Sequence, residues 1–371
     1  MPSPEVLDGR FLAELPVGGG LRLGALGGAG VLVCAVPDHW LHRGAQGALE
    51  RERLAGELGG SGPGWPVFVG HAQAAVAGLG GEGAAVVCDV GAETVCATWC
   101  RAEGGEVTAL DSECARVDGY ERRLAADGRA TAEEFAHALR RELLERPERA
   151  ELVLIRAREL GRYRATPVYE PVLPQGRARL TAGQVLDCFE PVAAAVRDTV
   201  ATLLSRHPER EPDVVIAGGA GVPPLTRAAV LEGVAAAGRR PRDVREAGAA
   251  VVAQGAALIA AGAVRAKGPE GVPVRLPARR IVDGLLRSWD IPLPASGQGV
   301  RAVVEAVSDG RALEVESGPG TPSPVLGPPV PAGRVAVTYW PNRRDGGVVV
   351  VRPDGDGPAL AYVVEERRGH G

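Results

Sequence analysis

The sequence is short of the features that would place it in a membrane, on a nucleic acid or around a metal. No apolar run approaches the roughly 18 residues of a membrane-spanning helix. The opening residues carry Glu5, Asp8 and Glu14 where a targeting peptide would carry a basic start and a long apolar centre, which gives the expectation of a cytoplasmic protein. Charge of neither sign prevails. With 42 basic residues against 46 acidic ones, a formal charge of −4, nothing in the balance draws the chain to nucleic acid or to an anionic lipid surface. The cysteines, at 34, 88, 96, 100, 114 and 188, lack the two close pairs of a structural zinc site. Cys96 and Cys100 are close in sequence but follow one another along an apolar strand-like segment, where a thiol behaves as a small hydrophobe. Lysine and methionine are scarce beside abundant Gly, Ala, Arg and Pro, the bias of high-GC coding, so composition alone argues little about chemistry.

What is present suits a globular chain. A hydrophobic content of 45% with 24% charged residues supplies a sizeable core, and 371 residues allow two or three domains. The most informative stretch runs from Ala84 to Thr94. Its first apolar residues suit a buried strand, and Asp89, Gly91 and Thr94 are spaced to turn the chain into a second strand over 95–99. Gly91 at positive φ would bring bare backbone N–H groups to an anion, Thr94 would add a hydroxyl, and Asp89 would hold a metal-bound water. An ordinary hairpin uses the same residue types.

In chain order, a strand is expected over 31–36 and a helix over 45–58 whose periodic positions include Leu49, Arg53 and Leu54. A second strand over 66–69 and a small-residue helix over 72–79 precede the hairpin, and a third strand over 107–111 completes an antiparallel meander. Helices follow over 131–144, with Thr131 and Glu134 as a capping box, and over 151–160. A long helix over 182–205 contains Pro191, which would kink it. A strand over 213–217 runs into Gly218, Gly219 and Gly221 and then a helix over 225–237, the arrangement that lays a ligand across a helix N-terminus. An alanine- and glycine-rich helix is expected over 246–262, a linker over 265–271, and beyond it short strands at 300–307, 312–315, 335–340, 348–351 and 360–364. Asp345, Gly346 and Gly347 form a hairpin turn between two of these.

In this order, these pieces resemble the second part of the nucleotide-binding domain of heat-shock protein 70 (DnaK-type) chaperones, within the actin-like ATPase superfamily. Val33 to Trp40 is similar to the family's strand and Pro-aromatic turn, and Gly70 to Gly80 to its first connecting helix. Asp89, Gly91 and Thr94 match the second phosphate motif, Gly218, Gly219 and Gly221 with Pro224 the adenosine motif, and Glu246 to Ala257 the second connecting helix. The resemblance implies an α/β, actin-like (ribonuclease-H-like) nucleotide-binding fold without the first phosphate-loop strands, followed by a C-terminal all-β domain. Residues 1–83 would be a reduced first lobe, 84–264 the second lobe with a shortened helical insert at about 121–205, and 272–371 the β-rich domain. It implies ATP or ADP with Mg²⁺ as ligand, Asp89 touching the metal through water, and Arg156, Arg158 or Arg162 as alternatives against adenine.

The departures are as informative. The family's first phosphate loop and the lysine needed for hydrolysis have no counterpart before Val31. Gly70 and His71 stand where the family has an acidic residue and a proline, Ala92 and Glu93 replace two glycines of the second phosphate motif, and Cys96 replaces a second Asp. Each lost charged contact removes roughly 1.5 to 3 kcal/mol, so several together weaken binding by about three decades or more. The expectation is therefore a degenerate, chaperone-like protein that acts by binding a protein partner or client. The alternatives are a working ATP-dependent chaperone that uses the glycine-rich stretch 18–30, and a small-molecule kinase of the same superfamily, for which Asp38 is the early strand-end carboxylate and His39, His42 and His71 are weaker candidates.

Overall fold

A computed structural model describes residues 33–42, 44–57, 66–91, 94–117, 182–208, 211–218, 223–268, 274–283, 285–293, 304–308, 314–317, 323–324, 327–342, 346–354 and 357–364. The helices expected over 131–144 and 151–160, the arginines of that stretch, and the glycine-rich start lie outside these residues. So do Gly219 and Gly221. The chain is mixed α/β, with a mixed sheet and a separate antiparallel sheet. It divides into two compact units, one of residues 1–82, 101–111 and 250–371, the other of residues 83–100 and 112–249.

The mixed sheet holds β3 (Gly83–Val90), β4 (Thr94–Glu103) and β5 (Glu106–Arg116), adjacent in that order, with β6 (Asp213–Ala217) beside β3 and β7 (Val244–Ala247) at the edge; residues 83–100, 112–116, 213–217 and 244–247 of it belong to the second unit. β3, β6 and β7 are parallel, with Asp89 level with Ala217 and Ala217 level with Ala247. Val86, Cys88 and Val90 of β3 and Val95, Ala97 and Trp99 of β4 form one face, buried against Phe189, Val196 and Leu203 of helix α4 (Ala182–Ser205) and Val230 and Val234 of helix α5 (Pro223–Ala236). Helix α4 runs through Pro191 without ending. It approaches α5 closely, because a Cβ at Gly233 would stand 2.8 Å from Arg197 O. Arg197 spans the same junction with bonds to Glu190 at 2.6 Å and Glu232 at 3.1 Å.

The first unit contains the parallel pair β1 (Val33–Val36) and β2 (Val67–Gly70), the short helix α1 (His39–His42), α2 (Ala45–Glu57) and α3 (His71–Leu79). Two elements depart from the expected pattern. Glu246 and Ala247 belong to β7, so the following helix, α6, is Ala249–Ala260. The run Val-Arg-Glu-Ala is too short and too polar to announce an edge strand, and its pairing to β6 decides it. Arg265–Lys267, expected as linker, is β8, which pairs in parallel with Glu106–Thr108 of β5.

The antiparallel sheet holds β9 (Val274–Val282), β10 (Leu285–Leu293), β11 (Val304–Ser308), β12 (Glu314–Ser317), β13 (Ser323–Pro324), β14 (Gly333–Pro341), β15 (Gly347–Pro353) and β16 (Leu360–Val364). The β9–β10 hairpin is not announced by the sequence, because its prolines and arginines interrupt the alternation. The β14–β15 turn includes Gly346 at φ +73° and is fastened by the Tyr339 hydroxyl donating to Gly346 O at 2.8 Å. Trp340, Val348 and Val350 of this sheet share one buried core with Cys34, Val36, Leu41, Ala48, Ala55 and Phe68.

The buried face of α2 also differs from expectation. Gly47, Ala48, Arg51, Glu52 and Ala55 face inward, whereas Arg53 is exposed and bridges Glu50 and Glu57. Burying Arg51 and Glu52 requires partners. Arg51 donates to Asn342 Oδ1 at 2.8 Å and to Gly47 O at 3.2 Å, and its guanidinium lies 5.1 Å from the centroid of Trp340. Glu52 accepts from Trp340 Nε1 at 3.0 Å and pairs with Arg352 at 3.2 Å.

Candidate functional site

The candidate site is assembled at the carboxyl ends of β3 and β6. Branched apolar residues hold both strands in the middle of the sheet, and each run ends at a residue that turns away, Gly91 after β3 and Gly218 after β6. Because Asp89 is level with Ala217, the backbone of Gly218 passes directly beside the Asp89 side chain. Gly218 has φ +104°, which favours glycine. A Cβ there would collide with Val90 O and stand 2.8 Å from Asp89 Oδ1. The two motifs, about 130 residues apart in sequence, are thus brought together. Asp89 is 8% exposed, a carboxylate at the rim of the strand ends.

The other half of the motif behaves differently. Gly91 does not take positive φ, and its N–H donates to Thr94 O at 2.8 Å, closing the hairpin. A Cβ at Gly91 would meet Thr94 O and Thr94 Oγ1, each at 3.3 Å. The group expected to face an anion is therefore committed to the turn. Three strands and a helix supply what the described residues offer a ligand here: the Asp89 carboxylate, the Thr94 hydroxyl and the side-chain-free surface of Gly218, with α5 starting five residues later at Pro223. Cys96 of β4, expected from the resemblance to replace an Asp, is a thiol only 2% exposed. Among the described residues, no group of three or more His, Cys, Asp or Glu is arranged to hold a metal ion. The described part brings the Gly218 backbone beside the Asp89 carboxylate and commits the Gly91 amide to the hairpin turn.

Elsewhere, the first unit packs α3 and α6 closely against each other. A Cβ at Gly255 of α6 would collide with Ala74 O of α3, and a Cβ at Gly78 of α3 would collide with Val251 O. Gln73, on α3, is 1% exposed and donates to Val107 O at 3.1 Å and Lys267 O at 2.7 Å, joining the helix to β5 and β8. Nothing in the local pattern marks Gln73; only its place in an otherwise apolar helix singles it out. Asp38 is fully buried and accepts from Ala72 N–H at 2.9 Å, capping α3 from outside the helix. The one early strand-end carboxylate of the kinase alternative is thereby bonded to a helix terminus. His42 is likewise buried, at 3% exposed.

No protein-family model matches this chain, and no curated protein matches it. No helix among the described residues is long and apolar enough to cross a membrane.

Proposed function

We propose that this protein is a chaperone-like member of the heat-shock protein 70 type whose nucleotide cleft is degenerate, and that it acts by binding a protein partner. The observation that carries the reading is the meeting of Asp89 and Gly218 at the carboxyl ends of adjacent parallel strands, where open α/β sheets bind ligands. The close crossing of α3 and α6 supports the same actin-like arrangement. In that reading Gly218, Gly219 and Gly221 line the adenosine side, and Asp89 and Thr94 the phosphate and Mg²⁺ side. Bound Mg²⁺ would neutralise phosphate charge; Asp89 would orient its water.

Degeneracy rests on what this cleft withholds. The Gly91 N–H closes the hairpin, Cys96 supplies no charge, and Glu93, which replaces a glycine of the motif, would add negative charge towards a triphosphate. In-line hydrolysis needs positioned positive charge that these residues do not provide. Titration calorimetry with MgATP and MgADP tests the reading. The expected result is binding about three decades weaker than a competent cleft, with no turnover, and loss of the residual signal in Asp89→Ala and Gly219→Asp. Micromolar affinity with turnover overturns degeneracy in favour of a working ATP-dependent chaperone. Unchanged affinity in both variants overturns the site. A pull-down with unfolded polypeptide, with and without nucleotide, tests the partner arm.

A further inference from the structure

The Cys114 thiol on β5 plays no part in the reading above, and Cys96 on β4 enters it only as a missing charge; three observations bear on how the two are related. Gly91 N–H bonds to Thr94 O across the β3–β4 turn. In an antiparallel ladder alternate residues direct their backbone groups at alternate neighbours, so Thr94, Cys96 and Thr98 direct theirs at β3, and Val95, Ala97 and Trp99 direct theirs at β5. At the other end of β4, Gly104 and Gly105, at φ +58° and +76°, make a two-residue turn that sets Glu103 opposite Glu106. That register places Ala102 opposite Val107, both of them buried.

Further along β5 the buried positions change parity, from Val107 and Ala109 to Ser112, with Leu110 exposed and Asp111 half-buried between them. One extra residue on one strand is a β-bulge. The Thr98 hydroxyl bonded to Ser112 Oγ at 3.4 Å sets the register beyond the bulge. Carried two residues on, in opposite chain directions, that register would set Cys96 opposite Cys114 in a non-hydrogen-bonded pair. Such pairs have Cα atoms about 4.5 Å apart, inside the roughly 4.4–6.8 Å that a disulfide spans.

We infer that Cys96 and Cys114 are a redox pair that closes to a cross-strand disulfide under a hydroperoxide oxidant. Both are unbridged thiols in this structure. Cys114 is half-buried and open to solvent, whereas Cys96 is 2% exposed. The Cys114 thiolate attacks the O–O bond of hydrogen peroxide, forming an S–O bond; the hydroxide released takes up the proton that the thiol gave up, as water. The Cys96 sulfur then attacks the sulfenic sulfur. The S–S bond forms, the S–O bond breaks, and the departing hydroxide leaves as water with the Cys96 proton. Two thiols have given two electrons to one peroxide, and two waters result. Cys34 and Cys88 are shielded from this chemistry: each is 1% exposed or less, and burial pushes the Cys34 thiol up to about 12 and raises that of Cys88 as well.

The test is non-reducing peptide mapping of the native full-length chain after hydrogen peroxide and alkylation. The expected product is a Cys96 peptide joined to a Cys114 peptide, two hydrogens lighter than the separate thiols and released by dithiothreitol. Cys34, Cys88 and Cys100 should alkylate only after denaturation. Cys96→Ser and Cys114→Ser should each lower the linked peptide at least tenfold, and Cys100→Ser should leave it unchanged. Sulfinic acid at Cys114 with an intact Cys96 thiol, a bridge to any other cysteine, or full recovery of both thiols from excess peroxide overturns the inference. Because the mapping is read on the unmodified chain, a variant that fails to fold does not rescue it.

Discussion

Arg51 and Glu52 sit side by side on α2 and are almost fully shielded from water, so their energetics depend on named partners. Asn342, Gly47 O and the Trp340 ring hold Arg51, while Trp340 Nε1 and Arg352 hold Glu52. Removing the guanidinium leaves Asn342 Oδ1 without its donor and opens a void beneath Trp340. Arg51→Ala is expected to lower unfolding free energy by about 3 kcal/mol, whereas Arg53→Ala, two residues away and solvent-exposed, should change it by less than about 0.5 kcal/mol. Urea unfolding of the two variants checks the contrast, and equal effects would contradict the assignment of faces. At the amino end of β6, Asp213 accepts from Arg242 through both oxygens at 2.8 Å and from Arg245 at 3.2 Å. The Arg242 hydrogen bonds, against the opposing effect of burial, hold its carboxyl below the usual range. A depressed folded-state pKa means that this stabilisation is present above the unfolded value near 3.9 and is lost as pH falls through the lower folded value. Asp213→Asn should therefore melt below the wild type at pH 7, and the gap should close as pH falls below about 4. A gap constant from pH 7 to pH 3 would show that charge is not its source.

At the scale of elements, the contact between α3 and α6 depends on the absence of side chains. Gly255→Leu would drive a side chain into Ala74 O and force the helices apart, an overpacking cost of about 1–3 kcal/mol or more. A Cβ added at Gly56 on α2 would meet nothing within 4 Å, so Gly56→Ala should stabilise by up to about 0.5–1 kcal/mol through helix propensity. Thermal melting of both variants reads the opposite signs. The two helices also mark how much the sequence discloses. Their alanines and glycines announce close packing, and branched apolar runs announce β6 residue for residue and β3 closely, whereas β4, expected over 95–99, runs on to Glu103. The parts that escaped are decided at long range. β7 and β8 are recognisable only through the strands they pair with. The inward turn of Arg51 depends on an asparagine and a tryptophan almost 300 residues away, and no periodicity in α2 reports it. At the site, Asp89 and Gly218 were legible as motif residues, but the use of the Gly91 N–H is a property of the hairpin that forms, and the same residues suit either use.

For the whole molecule, the strands after residue 330 raise the question of whether they are a module that could be removed. As a sheet they are antiparallel and distinct from the mixed sheet. As a core they are not self-contained, because Trp340, Val348 and Val350 are buried with Cys34, Val36, Leu41, Ala48 and Phe68, and the Trp340 ring packs edge-on against Phe68 with centroids 5.6 Å apart. Trp340 is 0% exposed and also supplies the N–H that Glu52 accepts, so Trp340→Ala removes packing and a buried donor in one step, at a cost of about 3–5 kcal/mol. If β1, β2, α2 and the β14–β15 hairpin unfold as one cooperative unit, hydrogen exchange on the full-length variant should show amide protection falling together in residues 45–57 and 333–353, by a similar free energy. The core of the second unit, built from β3, β4, β6, α4 and α5, contains none of these residues and should keep its protection. Loss confined to 333–353 with α2 still protected would mean that the C-terminal strands open by themselves and behave as a separate domain. The shared tryptophan and the Arg51–Asn342 bond argue for the joint response, since neither side can open without exposing the other's charged or aromatic partner to water.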